Sequence, residues 1–292
     1  MRMQGYWGRV LVVDMTEETA QELPIPEEWF RAYVGGEGLA VRLFRYMADP
    51  VMPASEPDNP VVIAAGPLTG APLDGCDLGA AAFRSPDGRG IGTARLGGAF
   101  PVALKKSGFD ALVIMGAAES PSLLSVDDED GAQVVDAEDL WDSDAAETAR
   151  AIAETLKGTG HGVLAIGSED SDEGLSPFES VFAEKRLKAV VVQGSMEPEF
   201  ADTGAMKRLG TGASSSEDVS DLSLTGASVA DAGHASRLLS AALGRPVSGD
   251  ELLSAAERVR AMSCAVMSGF GGESETTPSE ETLLRLGLEW LL

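Results

Sequence analysis

The sequence predicts an α+β fold, mixed β-sheets with helices followed by a small helical tail, and three observations carry that expectation. Val61–Ala65, Ala111–Met115, Val163–Gly167 and Leu187–Val192 are apolar runs of strand length, too short for helices. Hairpin and helix signals are intermixed between them, without the regular strand and helix alternation of a parallel α/β sheet. After residue 230 only helical signals remain. The expected division is a domain over residues 1–197, a linker over 198–230 and a helical segment over 231–292.

The elements follow in order. Tyr6–Asp14 reads as a strand, with Glu18–Pro24 returning beside it as a hairpin. Pro26–Met47 carries a helical pattern in which Trp29, Phe30, Tyr33 and Val34, then Leu39, Leu43 and Met47, share one side. The glycines of Gly35–Gly38 split it into two short helices. Pro50–Pro60 is a proline-punctuated loop. Leu123–Val126 and Gln133–Asp136 form a hairpin around an acidic tip, Asp127–Gly131. A helix over Asp144–Leu156 begins among carboxylates, as its dipole favours, and ends at Lys157 and Gly158–Gly162. Residues 198–230 are polar and low in complexity, most of all Thr211–Asp221, which is linker composition. In the tail, Ala232–Leu243 stops at Gly244, and Ser248–Glu251 is a capping box for a helix reaching about Met267. Thr277–Glu280 caps a last helix with proline at its first position. Leu283, Leu284, Leu286, Trp290 and Leu291 seat that helix on the core.

Composition excludes several functions. The 292 residues suffice for a large domain with a sizeable core, and 44% hydrophobic with 24% charged residues is globular composition. With 47 acidic against 22 basic residues, the net charge of −25 repels nucleic acid and anionic membranes. Ala99–Met115 is the longest apolar stretch, and Lys105, Lys106 and Asp110 interrupt it, so it is no membrane span. Met1–Arg9 is too polar for a signal peptide, and the two cysteines, Cys76 and Cys264, are far apart, which leads us to expect a cytoplasmic protein. Two thiols cannot hold a four-cysteine cluster, and His161 and His234 have no ligand-pair spacing. No metal site and no catalytic residue is expected.

The most informative stretch lies between Val61 and Gly116. Ala64–Gly70 (AAGPLTG) and Arg84–Gly98 (RSPDGRGIGTARLGG) are rich in glycine, which turns backbone amides toward one point and leaves room for an anion. Arg84, Arg89 and Arg95 add positive charge, and Gly97 and Gly98 add amides, so these five residues form a candidate phosphate cradle. A glycine-rich β meander whose arginines neutralise the chain's own carboxylates gives the same sequence.

These strings resemble the N-terminal domain of the tungsten-dependent aldehyde:ferredoxin oxidoreductases. AAGPLTG, FRSP, the pair Gly97–Gly98 and ALKKSGFDALVIMG occur in that family's order. So do Gly5–Arg9 (GYWGR), Gly35–Ala40 (GGEGLA) and Leu187–Gly194 (LKAVVVQG), and the likeness covers about residues 5–197. Leu239–Ala265 resembles a segment near the family's C-terminal end, and the intervening helical core has no counterpart. The resemblance implies a tungsten held by two dithiolene pterins, a neighbouring iron–sulfur cluster on four cysteines, and an aldehyde oxidised with ferredoxin as acceptor. This chain departs from it at several positions. It has no CxxC motif. Leu78 stands where the family has a phosphate-binding arginine, and Arg95 where it has an asparagine near the phosphates and their magnesium. Glu169, Asp170, Asp172 and Glu173 stand where it has a glycine- and arginine-rich loop, with Lys185 and Arg186 beside them as surface charges. Gly97 and Gly98 match.

The expectation is therefore a cofactor-free, non-catalytic relative acting as an accessory or binding subunit, with a full-length family member or a second copy as partner. The alternative is a tungstopterin (molybdopterin-type) oxidoreductase whose site a partner chain completes. A third reading is a small-molecule binding protein that uses the old cavity. The last helix is then the candidate cover for the sheet face that once held the pterin.

Overall fold

The computed structural model describes residues 3–88, 90–127, 131–156, 160–168, 174–210, 224–225, 231–269 and 278–288. Two mixed sheets organise the chain. The first has six strands in the order β2 (Thr19–Pro24), β1 (Arg9–Asp14), β6 (Ala111–Met115), β3 (Val61–Ala65), β4 (Gly79–Arg84) and β5 (Ile91–Leu96). All neighbours are antiparallel except β1 and β6, which run parallel with Val10 opposite Ala111. The second sheet orders β8 (Gly131–Asp136), β7 (Ser122–Asp127), β10 (Leu187–Gln193) and β9 (His161–Ala165), with β7 and β10 parallel. The α+β expectation is met.

Strands β3 and β6 lack polar alternation because both faces of the first sheet are covered. On one face Val10, Val12, Val62, Ala64 and Val113 pack under α1 (Glu27–Tyr33) and α2 (Gly36–Met47). On the other, Leu11, Ile63, Leu112 and Ile114 meet α3 (Ala99–Lys106), α5 (Pro177–Glu184) and inner residues of the second sheet, among them Val190 and Val192. Beyond that sheet, α4 (Ala145–Thr155) packs Ile152 on Ala189 and Val191. The end of β10 crosses α3 so closely that a methyl on Gly194 would lie 2.1 Å from the carbonyl carbon of Lys106, so only glycine fits.

The tail belongs to the same core. Leu238 and Leu239 of α7 (Ala232–Leu243), Leu252 and Val259 of α8 (Gly249–Gly269) and Leu283 of α9 (Glu280–Arg285) are buried in one cluster with α1, α2 and the first sheet. Helix α9 lies against the helices: Arg258 of α8 donates to Ala32 O at 2.6 Å and to Leu286 O at 2.9 Å. The layer directly over β3 and β4 is α2.

Several boundaries differ from the sequence reading. The break between α1 and α2 is confined to Val34 and Gly35. Gly38 sits inside the first turn of α2, where a methyl would meet Tyr33 O at 2.2 Å. Strand β9 begins at His161, two residues before the apolar run that announced it. In the expected Ser248–Glu251 box, Ser248 Oγ accepts the Glu251 amide at 3.0 Å, but the Glu251 carboxylate takes Arg245 instead. The last helix is capped by Ser279, whose hydroxyl accepts the Thr282 amide, two residues later than Thr277 would give. Thr277, Trp290 and Leu291 lie outside the described residues.

Part of the expected linker is packed structure. Asp202 caps α6 (Thr203–Leu209), Met206 is fully buried, and α6 packs on α7. Leu224 and Thr225 are buried as well, with Thr225 O accepting the Leu68 amide at 2.8 Å. Thr211–Asp221, the most linker-like stretch, is outside the described residues. Among the described residues no helix is long and apolar enough to cross a membrane.

Candidate functional site

The β4–β5 hairpin and the loops at its ends carry the sequence-predicted cradle. In its register Arg84 lies opposite Ile91 at the turn end, whereas Arg95 lies opposite Ala80 at the open end. Ala80 and Arg84 are four residues apart on one face, so the two arginine positions are separated by about 13 Å along the strands. Arg84 is buried, and desolvation lowers its pKa from the ordinary value. Arg95 is exposed. Arg89 lies outside the described residues. Gly88 belongs to the turn that closes the hairpin, where Ser85 N donates to Gly90 O. Gly97 and Gly98 follow β5 and are exposed. The structure thus groups Arg95, Gly97 and Gly98 and sets Arg84 apart from them.

Gly98 has φ 82° and is the N-cap of α3, so its amide belongs to a helix terminus that favours an anion. The chain supplies that anion itself: Asp77 Oδ2 accepts the Gly98 amide at 3.2 Å. Leu78 contacts the same turn, with its Cδ2 3.5 Å from where a Gly97 methyl would stand.

The amides of Ala64–Gly70 are also engaged within the chain. Gly66 N donates to Thr69 Oγ1 at 2.9 Å, Thr69 N to Gly66 O, and Gly70 N to Cys76 O at 2.8 Å. Thr69 Oγ1 in turn donates to Leu78 O at 2.6 Å. The segment is a turn locked onto residues 76–78.

Cys76 is buried in this turn. Desolvation, reinforced by Asp77 and Asp74, pushes its thiol up to about 12, so it remains protonated and a poor nucleophile or metal ligand. Cys264 is partly exposed on α8. We expect a disulfide-exchange reagent at neutral pH to label Cys264 at once and Cys76 only after unfolding. Labelling of both in the native protein at similar rates would contradict the burial argument. His161 and His234 stand on β9 and α7, in different layers. Among the described residues, no three His, Cys, Asp or Glu side chains are grouped to hold a metal ion.

Three buried lysines escaped the sequence reading. Lys185, expected at the surface, is 1% exposed, and its ammonium donates to the carbonyls of Pro57, Asn59 and Gly116. Lys188 does the same with Trp141, Ser143 and Gly167. Lys105 pairs with Asp110 at 2.5 Å, both wholly buried. The signal for the last pair was present: two opposite charges inside Ala99–Met115, an apolar run that does not span a membrane.

The two mixed sheets around α3, with a glycine-pair turn at its N-terminus, define an α+β domain. Residues 10–173 match the aldehyde ferredoxin oxidoreductase N-terminal domain, more than half of the chain, and the chain belongs to that family. It is 31% identical over 218 residues to the tungsten-containing aldehyde ferredoxin oxidoreductase of Pyrococcus abyssi, covering 69% of this chain and 35% of that protein. An aliphatic sulfonate oxidoreductase, WOR-like subunit, of Pyrococcus furiosus is 28% identical, covering 71% of this chain and 38% of that protein. Among solved structures, the active site complex BamBC of benzoyl coenzyme A reductase aligns with a TM-score of 0.65 and 25% identity. That alignment covers 71% of this chain and 34% of that one. The chain thus spans about a third of the length of these relatives.

At the Gly98 end of the cradle the chain's own carboxylate holds the place of a pterin phosphate, with Arg95 the described cation on the adjoining strand. An incoming dianion would meet the Asp77 carboxylate on the Gly98 amide, with Asp74 nearby and no guanidinium at Leu78. The two thiols of this chain cannot supply four thiolates to a cluster.

Proposed function

We propose that this chain is a cofactor-free, non-catalytic member of the aldehyde ferredoxin oxidoreductase family, acting in the cytoplasm as an accessory or binding subunit. The hydrogen bond from Gly98 N to Asp77 carries the reading: an internal carboxylate stands where an anionic ligand would be held. A fold can persist on its packed strands after its ligand contacts are gone. Protein partners are supported by the relatives, one named as a subunit and one solved as an active site complex. The partner we propose is a full-length family member or a second copy of this chain.

Purification of the tagged protein from its native host, with elemental analysis and native mass spectrometry, tests the reading. The expected result is an assembly with a longer family member or a homo-oligomer, in which this chain alone retains no tungsten, molybdenum or iron. Stoichiometric tungsten on the isolated chain overturns it, as does a protein that always emerges alone and monomeric.

A second reading is favoured by one observation, the exposed Arg95 beside Gly97 and Gly98. Here the chain shares a tungstopterin with a partner, Arg95 replaces a metal bridge to the phosphate, and the assembly oxidises aldehydes with ferredoxin as acceptor. It requires Asp77 to leave the Gly98 amide. Pyrophosphate binding that is lost in Arg95→Ala and tightened in Asp77→Ala would favour this reading over the first.

A further inference from the structure

We propose that a second copy of this chain pairs with β5 at the open edge of the first sheet, antiparallel about a two-fold axis through Thr93, so that the two sheets join into one. The inference rests on the second-copy form of the function proposed above and gives it a surface. Strand β5 ends the sheet and, among the described residues, pairs with β4 only. The bond from Ser85 N to Gly90 O fixes the phase of that ladder. By antiparallel alternation Ile91, Thr93 and Arg95 then turn their N–H and C=O groups away from β4. The bond from Ala65 N to Asp110 O, two strands further in, keeps the same alternation. Thr93 and Arg95 are exposed. The strand is held firmly from within, because Ala94 and Leu96 pack into the core and the Phe83 ring covers Gly92, where a methyl would lie 2.6 Å from it.

Edge strands are commonly guarded by proline, a charged side chain or a bulge. At the opposite edge β2 ends in Pro24 and carries Glu22, ion-paired with Arg9. Strand β5 has no proline and no carboxylate, and its register with β4 is unbroken. Its sequence points to its own copy as the occupant. The register centred on Thr93 pairs all three outward residues of each chain, Thr93 with Thr93 and Ile91 with Arg95. Centring on Arg95 sets like charges opposite each other, and every other two-fold register leaves an outward residue unpaired within the strand. Ile91–Gly98 contains no carboxylate, so two chains of net charge −25 meet at a stretch whose charge is positive.

Analytical ultracentrifugation of the intact chain at high salt, which screens the repulsion between acidic copies, measures the association. Mild oxidation of cysteine variants in a Cys264→Ser background, where Cys76 stays buried, reports the register. A dimer is expected. Thr93→Pro removes an edge donor without touching the β4 ladder and should weaken the dimer at least about tenfold. Ala20 faces the open edge of β2, as the bond from Ile25 N to Gly8 O implies, and Ala20→Pro should leave the dimer unchanged. Thr93→Cys stands about 5.5 Å from its copy, Cα to Cα, and should form an intermolecular disulfide. Arg95→Cys lies about 13 Å along the strands from its own copy and should not. A chain that stays monomeric overturns the proposal, as do a dimer indifferent to Thr93→Pro, one lost equally in Ala20→Pro, and cross-linking through Arg95→Cys but not Thr93→Cys. Disulfides of Thr93→Cys solely to another protein of the native host also overturn it. A dimer built elsewhere fails this inference and leaves the proposed function intact, whereas tungsten on the isolated chain fails the proposed function and leaves the dimer.

Discussion

Replacing Asp110 with alanine is expected to destabilise the fold by about 3–5 kcal/mol, the cost of leaving a buried charge without its partner. Asp110 and Lys105 are wholly buried and 2.5 Å apart. The second carboxylate oxygen of Asp110 accepts the amides of Trp7 and Gly8 at 2.9 and 2.7 Å, and the Trp7 indole donates to Lys105 O at 2.7 Å. The ion pair therefore ties the N-terminal segment to the connection between α3 and β6. The variant strands the ammonium and two amides at once, and nothing in the apolar surroundings replaces the lost acceptor. Lys105→Met combined with Asp110→Leu removes both charges and should cost less than Asp110→Ala, because only the two amides then lack an acceptor. Urea unfolding of the three proteins measures both quantities. A loss below about 1 kcal/mol for Asp110→Ala would show that the pair has no such role.

The second large effect is a rise of stability with pH attributable to Lys185. Burial among carbonyl groups lowers its ammonium from the ordinary value to about 8, against the opposing pull of Asp58, Glu184 and Asp14. Below pH 8 both folded and unfolded chains carry the proton, and the folded state bears the full cost of a desolvated charge. Above pH 8 the folded lysine becomes neutral while the unfolded one still binds a proton, so unfolding takes up a proton and stability climbs. Over pH 7 to 10 this amounts to about 2.5 kcal/mol.

Lys188, lowered likewise, acts with the same sign, and Cys76, raised, acts oppositely above pH 9. The measurable quantity is therefore the stability of wild type minus that of Lys185→Met across this range, in which both contributions cancel. A flat difference curve would mean that Lys185 titrates as it does in the unfolded chain.

Both predictions rest on residues whose environment the sequence concealed. A lysine beside a strand is exposed far more often than not, and the three carbonyls that receive Lys185 come from Pro57, Asn59 and Gly116, distant in sequence. Strands β3 and β6 were legible because VVIAA and ALVIM are short, apolar and flanked by turns. The β4–β5 hairpin was legible only as the glycine-rich β meander weighed against a cradle, because GAAAFR is small and unalternating and gives no strand bounds until its partner strand is known. Helix α6 was hidden in polar sequence, anchored by one cap at Asp202 and one buried side chain, Met206.

The candidate site followed the same logic. Gly97 and Gly98 could be read directly, since glycine pairs mark turns. Asp77 could not, because its contact with Gly98 depends on how β4 registers against β5 across 21 residues of chain. That register also separates Arg84 from Arg95, two residues that look like neighbours in the sequence.

The parallel pairing of β1 with β6 has a consequence for the chain as it leaves the ribosome. The β1–β2 hairpin is complete by Pro24, but the strand that covers its inner edge begins only at Ala111. At about 5–20 residues per second that edge waits about 4–17 s for its neighbour. During that interval Val10, Leu11, Val12 and Val13 present an apolar ribbon with unpaired backbone groups, which is where a nascent-chain chaperone has most to protect.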